Sequence, residues 1–333
     1  RLVSDWSSDV CSSDLQAHGL GAADTDLVAW LVAQHLLLSV TAQKSDITDP
    51  AVINRFAASV ADRERLDALY LLTMADIAGT APTLWNTWKA RLMADLFAAS
   101  RFALRRGLEH PIHAEERIAE CRKASLALLA ADGIDAPEAE SIWEDFPPPS
   151  FLRYRPGLIA WVTRMVASAR HEALPMVSAR AEGERGAREI FVHSEDIDGL
   201  FAAITSALDR LDLDVVEARV ITSRKGLSLD TFRVLERGRR IAEPGQSPAE
   251  REHLEAQRND EIVRSLRYAL KQRPLRMGPV KRSLSRTQRH FHVSPQIDFA
   301  PSSTPERTRM ALVCSDRPGL LALVAQCLRA QAI

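Results

Sequence analysis

The chain of 333 residues lacks most of the features that place a protein in a class by composition alone. Its 43 basic and 44 acidic residues give a formal charge of −1, so no global field attracts nucleic acid or a membrane surface. The four cysteines lie far apart without a CxxC pair, at Cys11, Cys121, Cys314 and Cys327. This usage is typical of a reducing compartment. No run approaches the roughly 18 to 20 apolar residues of a membrane span. These absences predict a cytoplasmic, non-membrane protein with two or three domains.

Residues 1–15 differ in character from the rest of the chain. They are a near-repeat of Ser-Asp units without a helical or strand period. A signal peptide is not indicated, because a basic start and an apolar centre are both missing. The segment resembles a translated sequencing-adaptor stretch, and a natural disordered tail is the alternative. We exclude it from the fold in either case.

What the chain does contain is an internal repeat with a period of 120 residues. Asp196-Ile-Asp-Gly199 follows a short apolar strand and precedes a helix with an apolar stripe, and Asp316-Arg-Pro-Gly319 does the same. We call these the first turn and the second turn. The first copy continues into further elements, whereas the sequence stops at residue 333. We therefore expect the second copy to be cut short.

The first copy predicts an α+β fold. The pattern predicts strands at 189–194, 215–222 and 229–236, helices at 200–211 and 247–270, and a closing strand at 290–293 or 296–299. This βαββαβ order is typical of a ferredoxin-like antiparallel sheet with two helices on one face. Lys225-Gly226, between two β-rich runs, indicates a hairpin turn.

Residues 23–107 are helical in pattern and contain two polar side chains that need an explanation. His35 lies inside an apolar helix predicted over 27–38, and Asp76 follows an apolar run. A His and an Asp from neighbouring helices can bind a hydrolytic metal ion, which lowers the pKa of bound water. A hydrogen-bonded core histidine and a helix-end carboxylate are the alternative explanation.

Three stretches of this region resemble a known enzyme family: His35-Leu-Leu-Leu-Ser-Val-Thr-Ala-Gln-Lys-Ser-Asp-Ile-Thr-Asp-Pro50, Leu71-Leu-Thr-Met-Ala-Asp76-Ile, and Leu84-Trp-Asn-Thr-Trp-Lys89. The family is that of the bifunctional uridylyltransferase/uridylyl-removing enzymes, which act on the nitrogen regulatory protein PII. The resemblance implies an α+β chain with four parts after residues 1–15. They are the end of a metal-dependent HD-type helical domain (16–109), a helical connector (110–187), a ferredoxin-like ACT domain with a basic linker (188–300) and the start of a second ACT domain (306–333).

The resemblance also implies the chemistry. It makes His35 and Asp76 ligands of a divalent metal, Mg²⁺ or alternatively Mn²⁺, in the uridylyl-removing site. It implies PII as partner, UTP and UMP as nucleotides, and glutamine as effector. No His-Asp doublet and no Gly-Ser pair occur in the sequence, so the catalytic residues stay unassigned. We expect a C-terminal fragment that catalyses neither reaction alone.

The two turns are candidate effector sites. Glycine lets a ligand approach the backbone, and amides at a helix N-terminus attract a carboxylate. A plain capped turn is the other explanation. The resemblance implies glutamine as the ligand, and the candidate residues are Asp196, Asp198, Gly199, Asp316, Arg317 and Gly319. Asp198 adds a carboxylate that disfavours an anionic group at the first turn.

Three further alternatives remain. Residues 271–289 carry seven basic and no acidic side chains, so a nucleic-acid patch is one explanation. A solvated linker is favoured, because the segment has no aromatic residues to stack on bases. An HD-plus-ACT guanosine-tetraphosphate synthetase/hydrolase is a rival family. A non-catalytic amino-acid-binding regulator is the other.

Overall fold

The computed structural model describes residue 15 and residues 17–80, 87–108, 113–169, 174–182, 187–237, 247–278, 293–301 and 308–331. Predictions for residues 1–14, for Trp85, for the junction 183–186 and for most of the basic segment lie outside the described residues. The chain divides between Arg164 and Met165 into two compact units. Each is described by itself.

The first unit is helical, as predicted. Its helices are α1 (Ala22–Gln34), α2 (Leu37–Lys44), α3 (Pro50–Val60), α4 (Arg63–Thr80), α5 (Thr87–Arg106), α6 (Ala114–Ala131), α7 (Ala136–Trp143), α8 (Ser150–Arg153) and α9 (Pro156–Ala169), of which α9 continues past the division. The helix predicted over 27–38 is interrupted at His35 and Leu36. The break separates α1 from α2.

Helices α2 to α5 share an apolar core. Fully buried side chains from these helices form it, among them Leu38, Leu66, Leu69, Met93 and Leu96. The start of α3 is built as its sequence predicts: Asp49 accepts a hydrogen bond from the Ala51 amide at 2.9 Å, and Pro50 occupies the first helical position.

One stretch of this unit meets the length and composition of a membrane span. Ala22–Lys44, which covers α1 and α2, is long and apolar enough by those two criteria. The indication is weak, because core helices of other proteins meet the same criteria. The prediction of a non-membrane, cytoplasmic protein stays a prediction.

Helices α6 to α9 fill most of the predicted connector. Trp143 and Trp161 are 3% and 5% exposed, as expected of packing residues. The Trp143 indole Nε1 donates to Thr163 Oγ1 at 2.8 Å, which satisfies its only polar atom. Arg122 lies 5.4 Å from the ring centroids of both Trp143 and Phe151.

The second unit confirms the α+β fold class. Its elements are β1 (Met176–Glu182), β2 (Ala187–Glu195), α10 (Leu200–Arg210), β3 (Leu213–Arg219), β4 (Leu227–Glu236), α11 (Pro248–Lys271), β5 (Gln296–Pro301), β6 (Thr308–Val313) and α12 (Leu320–Ala330). Strands β1 to β4 form an antiparallel sheet in the order β1-β2-β4-β3. Gly226, with φ +73°, makes the predicted hairpin turn between β3 and β4.

The strand that completes the sheet precedes β2 in the sequence, whereas the prediction placed it after α11. In the expected βαββαβ order, a strand after α11 pairs with β2. Here β1 takes that edge of the sheet, and α11 packs on it. The candidate at 296–299 is part of β5, which pairs with β6 in a separate two-stranded sheet, and residues 290–292 lie outside the described part. The pairing of β1 with β2 is favoured over pairing of β2 with a later strand, because a short connection joins the antiparallel strands β1 and β2.

The repeat is therefore longer than its sequence signature. Strands β1 and β5 begin 120 residues apart, at Met176 and Gln296, and helices α10 and α12 keep the same offset. Both copies have the order strand, strand, turn, helix. We call residues 176–271 the first module and residues 296–330 the second module.

The first module is held together by an apolar core and a buried ion network. Ile190, Val192, Phe232 and Val234 face α10 and α11 across the sheet. Arg188 and Arg258 both donate to the Glu236 carboxylate, at 3.1 Å and 2.9 Å.

Arg188, Arg258 and Glu236 are each at most 6% exposed, and the more exposed Glu255 and Glu261 pair with the two arginines at 2.5 Å and 2.6 Å. Arg258 also donates to the Leu211 carbonyl oxygen at 2.7 Å, which satisfies the end of α10. One carboxylate thus joins β2, β4 and α11.

The second module leaves its apolar face open. Side chains from β5, β6 and α12 line a groove of about 750 Å³. Leu312, Leu320 and Leu328 line this groove and are partly exposed. The equivalent face of the first module is core.

Candidate functional site

His35 is exposed at the break between α1 and α2. Its Nδ1 lies 2.7 Å from the Val32 carbonyl oxygen. A carbonyl oxygen only accepts, so this contact places the proton of the neutral ring on Nδ1 and leaves the Nε2 lone pair free. Histidines that bind metals commonly have this arrangement. His35 is not the core histidine of the alternative explanation.

Asp76 lies in α4 and is also exposed. Thr80 Oγ1 donates to its Oδ1 at 3.1 Å, and such a hydrogen bond orients a ligating carboxylate. Helix α4 packs against both α1 and α2. The two predicted metal ligands therefore belong to neighbouring helices.

His35 and Asp76 are suitable metal ligands only by the chemistry of their donor atoms. One imidazole nitrogen and one carboxylate are suitable donors, but catalytic zinc sites typically use three protein ligands. Within the described residues, no group of three or more His, Cys, Asp and Glu side chains is arranged to hold a metal ion. A metal bound by His35 and Asp76 needs donors in addition to these two.

Large apolar side chains flank the two candidate ligands along the chain. Leu36, Val40 and Leu71 are 52%, 43% and 68% exposed. Groups of exposed apolar side chains often mark contact surfaces. Helices α2 and α4 thus carry exposed apolar side chains in addition to those that they bury in the core.

The first turn has the predicted geometry. Gly199 adopts φ +78°, a left-handed conformation that glycine takes without strain, and it precedes α10. The Asp196 amide donates to the Gly226 carbonyl oxygen at 3.1 Å, and Thr222 Oγ1 donates to the Asp196 carboxylate at 2.8 Å. Both contacts tie the turn to the β3–β4 hairpin.

A second carboxylate of the first turn has a partner from the second module. Arg329, in the last turn of α12, donates from Nη2 to Asp198 Oδ2 at 2.7 Å. This hydrogen bond and the charge of the guanidinium lower the pKa of Asp198. The Asp198 carboxylate is therefore engaged by a cation of the chain itself.

Asp230 lies buried next to the first turn. It is 1% exposed, and its Oδ1 accepts from the Ile221 amide at 3.3 Å. Burial raises the pKa of Asp230 to about 6, and the nearby negative charge of Asp196 also raises it. The carboxyl group gains a proton more easily than an exposed aspartate.

The second turn repeats the backbone of the first. Gly319 adopts φ +71°, and the Leu320 amide donates to the Arg317 carbonyl oxygen at 3.2 Å. Asp316 and Arg317 are exposed. All candidate effector residues therefore lie in the two predicted turns, and the turns end in helices as expected.

Sequence reasoning missed Arg329 and Asp230. Arg329 reads as an ordinary cation in the last turn of a helix, because its partner lies 131 residues away. Asp230 interrupts an apolar strand, and that position is the one signal that indicated an unusual carboxylate.

The fold and the turns define a class of protein: a helical region followed by two related α+β modules. Comparison with known proteins narrows the class. Residues 113–165, which contain α6 to α8 and most of α9, match the family model described as uridylyltransferase GlnD fifth domain. No solved structure matches the chain.

Curated relatives match almost the whole chain. A bifunctional uridylyltransferase/uridylyl-removing enzyme from Xanthomonas campestris pv. campestris (strain B100) is 45% identical over 95% of the chain, and one from Xanthomonas oryzae pv. oryzae (strain MAFF 311018) is 44% identical over 95%. One from Vibrio cholerae is 41% identical over 97%. The chain is similar to these enzymes along the segment it spans. That segment is 35% of the length of these relatives.

Proposed function

We propose that the chain is part of an enzyme that attaches UMP to the nitrogen regulatory protein PII and removes it again. The chain supplies part of the uridylyl-removing hydrolase and a regulatory region. Identity of 41–45% across at least 95% of the chain to enzymes with both activities in their names supports this function. The proposed partners are PII, UTP and UMP, and the proposed compartment is the cytoplasm.

The hydrolase part rests on His35 and Asp76. Through Nε2 and the carboxylate these residues hold a divalent metal, Mg²⁺ or Mn²⁺, together with donors outside the described residues. The bound ion supplies a water of lowered pKa for phosphodiester hydrolysis. The Val32 carbonyl fixes the tautomer of His35, and Thr80 orients Asp76.

The regulatory part rests on the turns, with glutamine as the proposed effector. Arg317 and the amides of the second turn suit the carboxylate of an amino acid, and Asp316 suits its amino group. Glutamine shifts the balance of the two activities only if it binds their two functional states with different affinity.

Substitution of the proposed ligands tests the hydrolase assignment. We expect His35→Ala and Asp76→Ala, in the full-length protein, to lower the rate of uridylyl-PII hydrolysis at least about 100-fold, because loss of an outer-shell partner alone costs 10–100-fold at metal sites. Uridylylation of PII remains within about twofold, since the two residues serve the hydrolase only. Release of UMP from uridylyl-PII is the measurement.

Matched variants control for general damage. His18→Ala removes another exposed histidine and Glu64→Ala another exposed carboxylate of α4, and both should leave hydrolysis unchanged. Hydrolysis that survives in the His35→Ala, Asp76→Ala double variant contradicts the metal assignment. Hydrolysis of guanosine tetraphosphate in place of uridylyl-PII would favour the rival HD-plus-ACT family.

A further inference from the structure

The second module reaches into the first turn through one side chain. Arg329 donates from Nε and Nη2 to the same oxygen of Asp198, at 3.0 Å and 2.7 Å. The residues are 40% and 76% exposed at their side chains. An exposed ion pair adds little stability by itself. Its position is therefore more informative than its strength.

The guanidinium covers the backbone that a ligand has to approach. A Cβ atom built on Gly199 would lie 2.7 Å from Arg329 Nε and 2.9 Å from Met277 Sδ. Real Cβ atoms do not tolerate such distances, so the space over Gly199 is filled by these two side chains. Arg329 and Met277 therefore occupy the space over the Gly199 backbone that an effector would need.

Helix packing extends this contact. Helix α10 packs against α12, where Ala322 and Ala325 are 1% and 4% exposed. The Gly278 amide, in the segment after α11, donates to Ser206 Oγ on α10 at 2.8 Å. The ion pair joins the last turn of α12 to the turn before α10 and so extends the contact between these two helices.

The opposite end of this interface cannot form the same pair. The 120-residue offset makes Pro318 the equivalent of Asp198 and Asp209 the equivalent of Arg329. Proline has no carboxylate, and Asp209 is bonded to Arg237 at 3.4 Å within the first module. The two positions equivalent to Asp198 and Arg329 therefore lack the charges of this pair.

We propose that the first turn is an intramolecular docking point for the second module, occupied by Arg329, and not an effector site. Asp198, one of the two residues that depart from the Asp-Arg-Pro-Gly pattern of the second turn, holds the guanidinium in place. The second turn, where Asp316 and Arg317 are exposed, stays the candidate effector site. The docking contact does not depend on the proposed enzyme activity or on glutamine.

A charge exchange in the 333-residue chain tests the contact. We expect Asp198→Arg and Arg329→Asp each to raise amide hydrogen exchange in residues 320–330 about fivefold or more, because each places like charges together. The double variant Asp198→Arg, Arg329→Asp should lower exchange again by at least about threefold relative to either single variant. Asp260→Arg, an exposed position on α11, makes the same charge change as a control and should leave exchange unchanged.

A glutamine titration of the unsubstituted chain tests the second half of the proposal. Protection of residues 196–204 on addition of glutamine would overturn it. So would single variants with unchanged exchange, or a double variant as loose as the single ones. If the double variant lowers exchange as expected but glutamine binds nowhere on the chain, the docking point is supported and the proposed effector is contradicted.

Discussion

Replacement of Glu236 by glutamine is expected to lower the free energy of unfolding of the first module by about 1.5–3 kcal/mol, the usual cost of losing hydrogen bonds to charged groups. Arg188 and Arg258 would lose the carboxylate that both contact, which is 2% exposed, and would keep only the more exposed Glu255 and Glu261 as ion-pair partners. Glutamine preserves the volume, so the change isolates the charge. Hydrogen exchange of β2 and β4 is the measurement.

A matched substitution separates this effect from ordinary surface electrostatics. Glu261 also accepts from Arg258, at 2.6 Å, but it is 48% exposed. We expect Glu261→Gln to cost less than about 1 kcal/mol. All six tryptophans lie at or before Trp161, so tryptophan fluorescence reports the first unit and should be unchanged. Equal costs for the two substitutions would show that burial of Glu236 does not matter.

Replacement of Asp230 by asparagine is expected to stabilise the protein at neutral pH and to remove part of its pH dependence. The folded-state pKa of about 6 lies above the value of 3.8 for an unperturbed aspartate. The folded state therefore binds the proton more tightly, so the stability that Asp230 contributes is fully present below about pH 4 and is lost as the pH rises through about 6. Two pKa units correspond to about 3 kcal/mol.

The comparison is made by urea denaturation between pH 4 and pH 7.5. Asp230→Asn should match the unsubstituted chain near pH 4 and exceed its stability at pH 7.5 by up to about 3 kcal/mol. The asparagine side-chain oxygen can still accept from the Ile221 amide. Asp260→Asn removes an exposed carboxylate and is the control. An Asp230→Asn variant that is less stable at pH 7.5 would show that the ionised carboxylate is the stabilising form.

Local sequence patterns predicted the elements well. Strands β2, β3 and β4 and helices α10 and α11 lie within a few residues of their predicted positions, because each has an apolar period of its own and clear flanking signals. The Asp49-Pro50 start of α3 was predicted for the same reason. The strand at the outer edge of β2 could not be predicted. A strand before β2 and a strand after α11 can both pair there, and no local pattern decides between them.

The candidate site was predictable in its residues but not in its contacts. The Asp-x-x-Gly spacing located both turns, and the family resemblance located His35 and Asp76. The Arg329–Asp198 contact depends on how α12 packs against α10, which no local pattern encodes. The exposure of His35 was also missed, because an apolar helix predicts burial and gives no sign of a break.

The hairpin of β1 and β2 has a consequence for how the first module folds. Met176 pairs with His193, a close neighbour in the chain, whereas a strand after α11 would have to return across the whole module. Proteins whose contacts are local in sequence fold faster. The β1–β2 hairpin can thus form while the rest of the module is still being synthesised. One backbone edge of β2 is then already paired and is not available to strands of other chains.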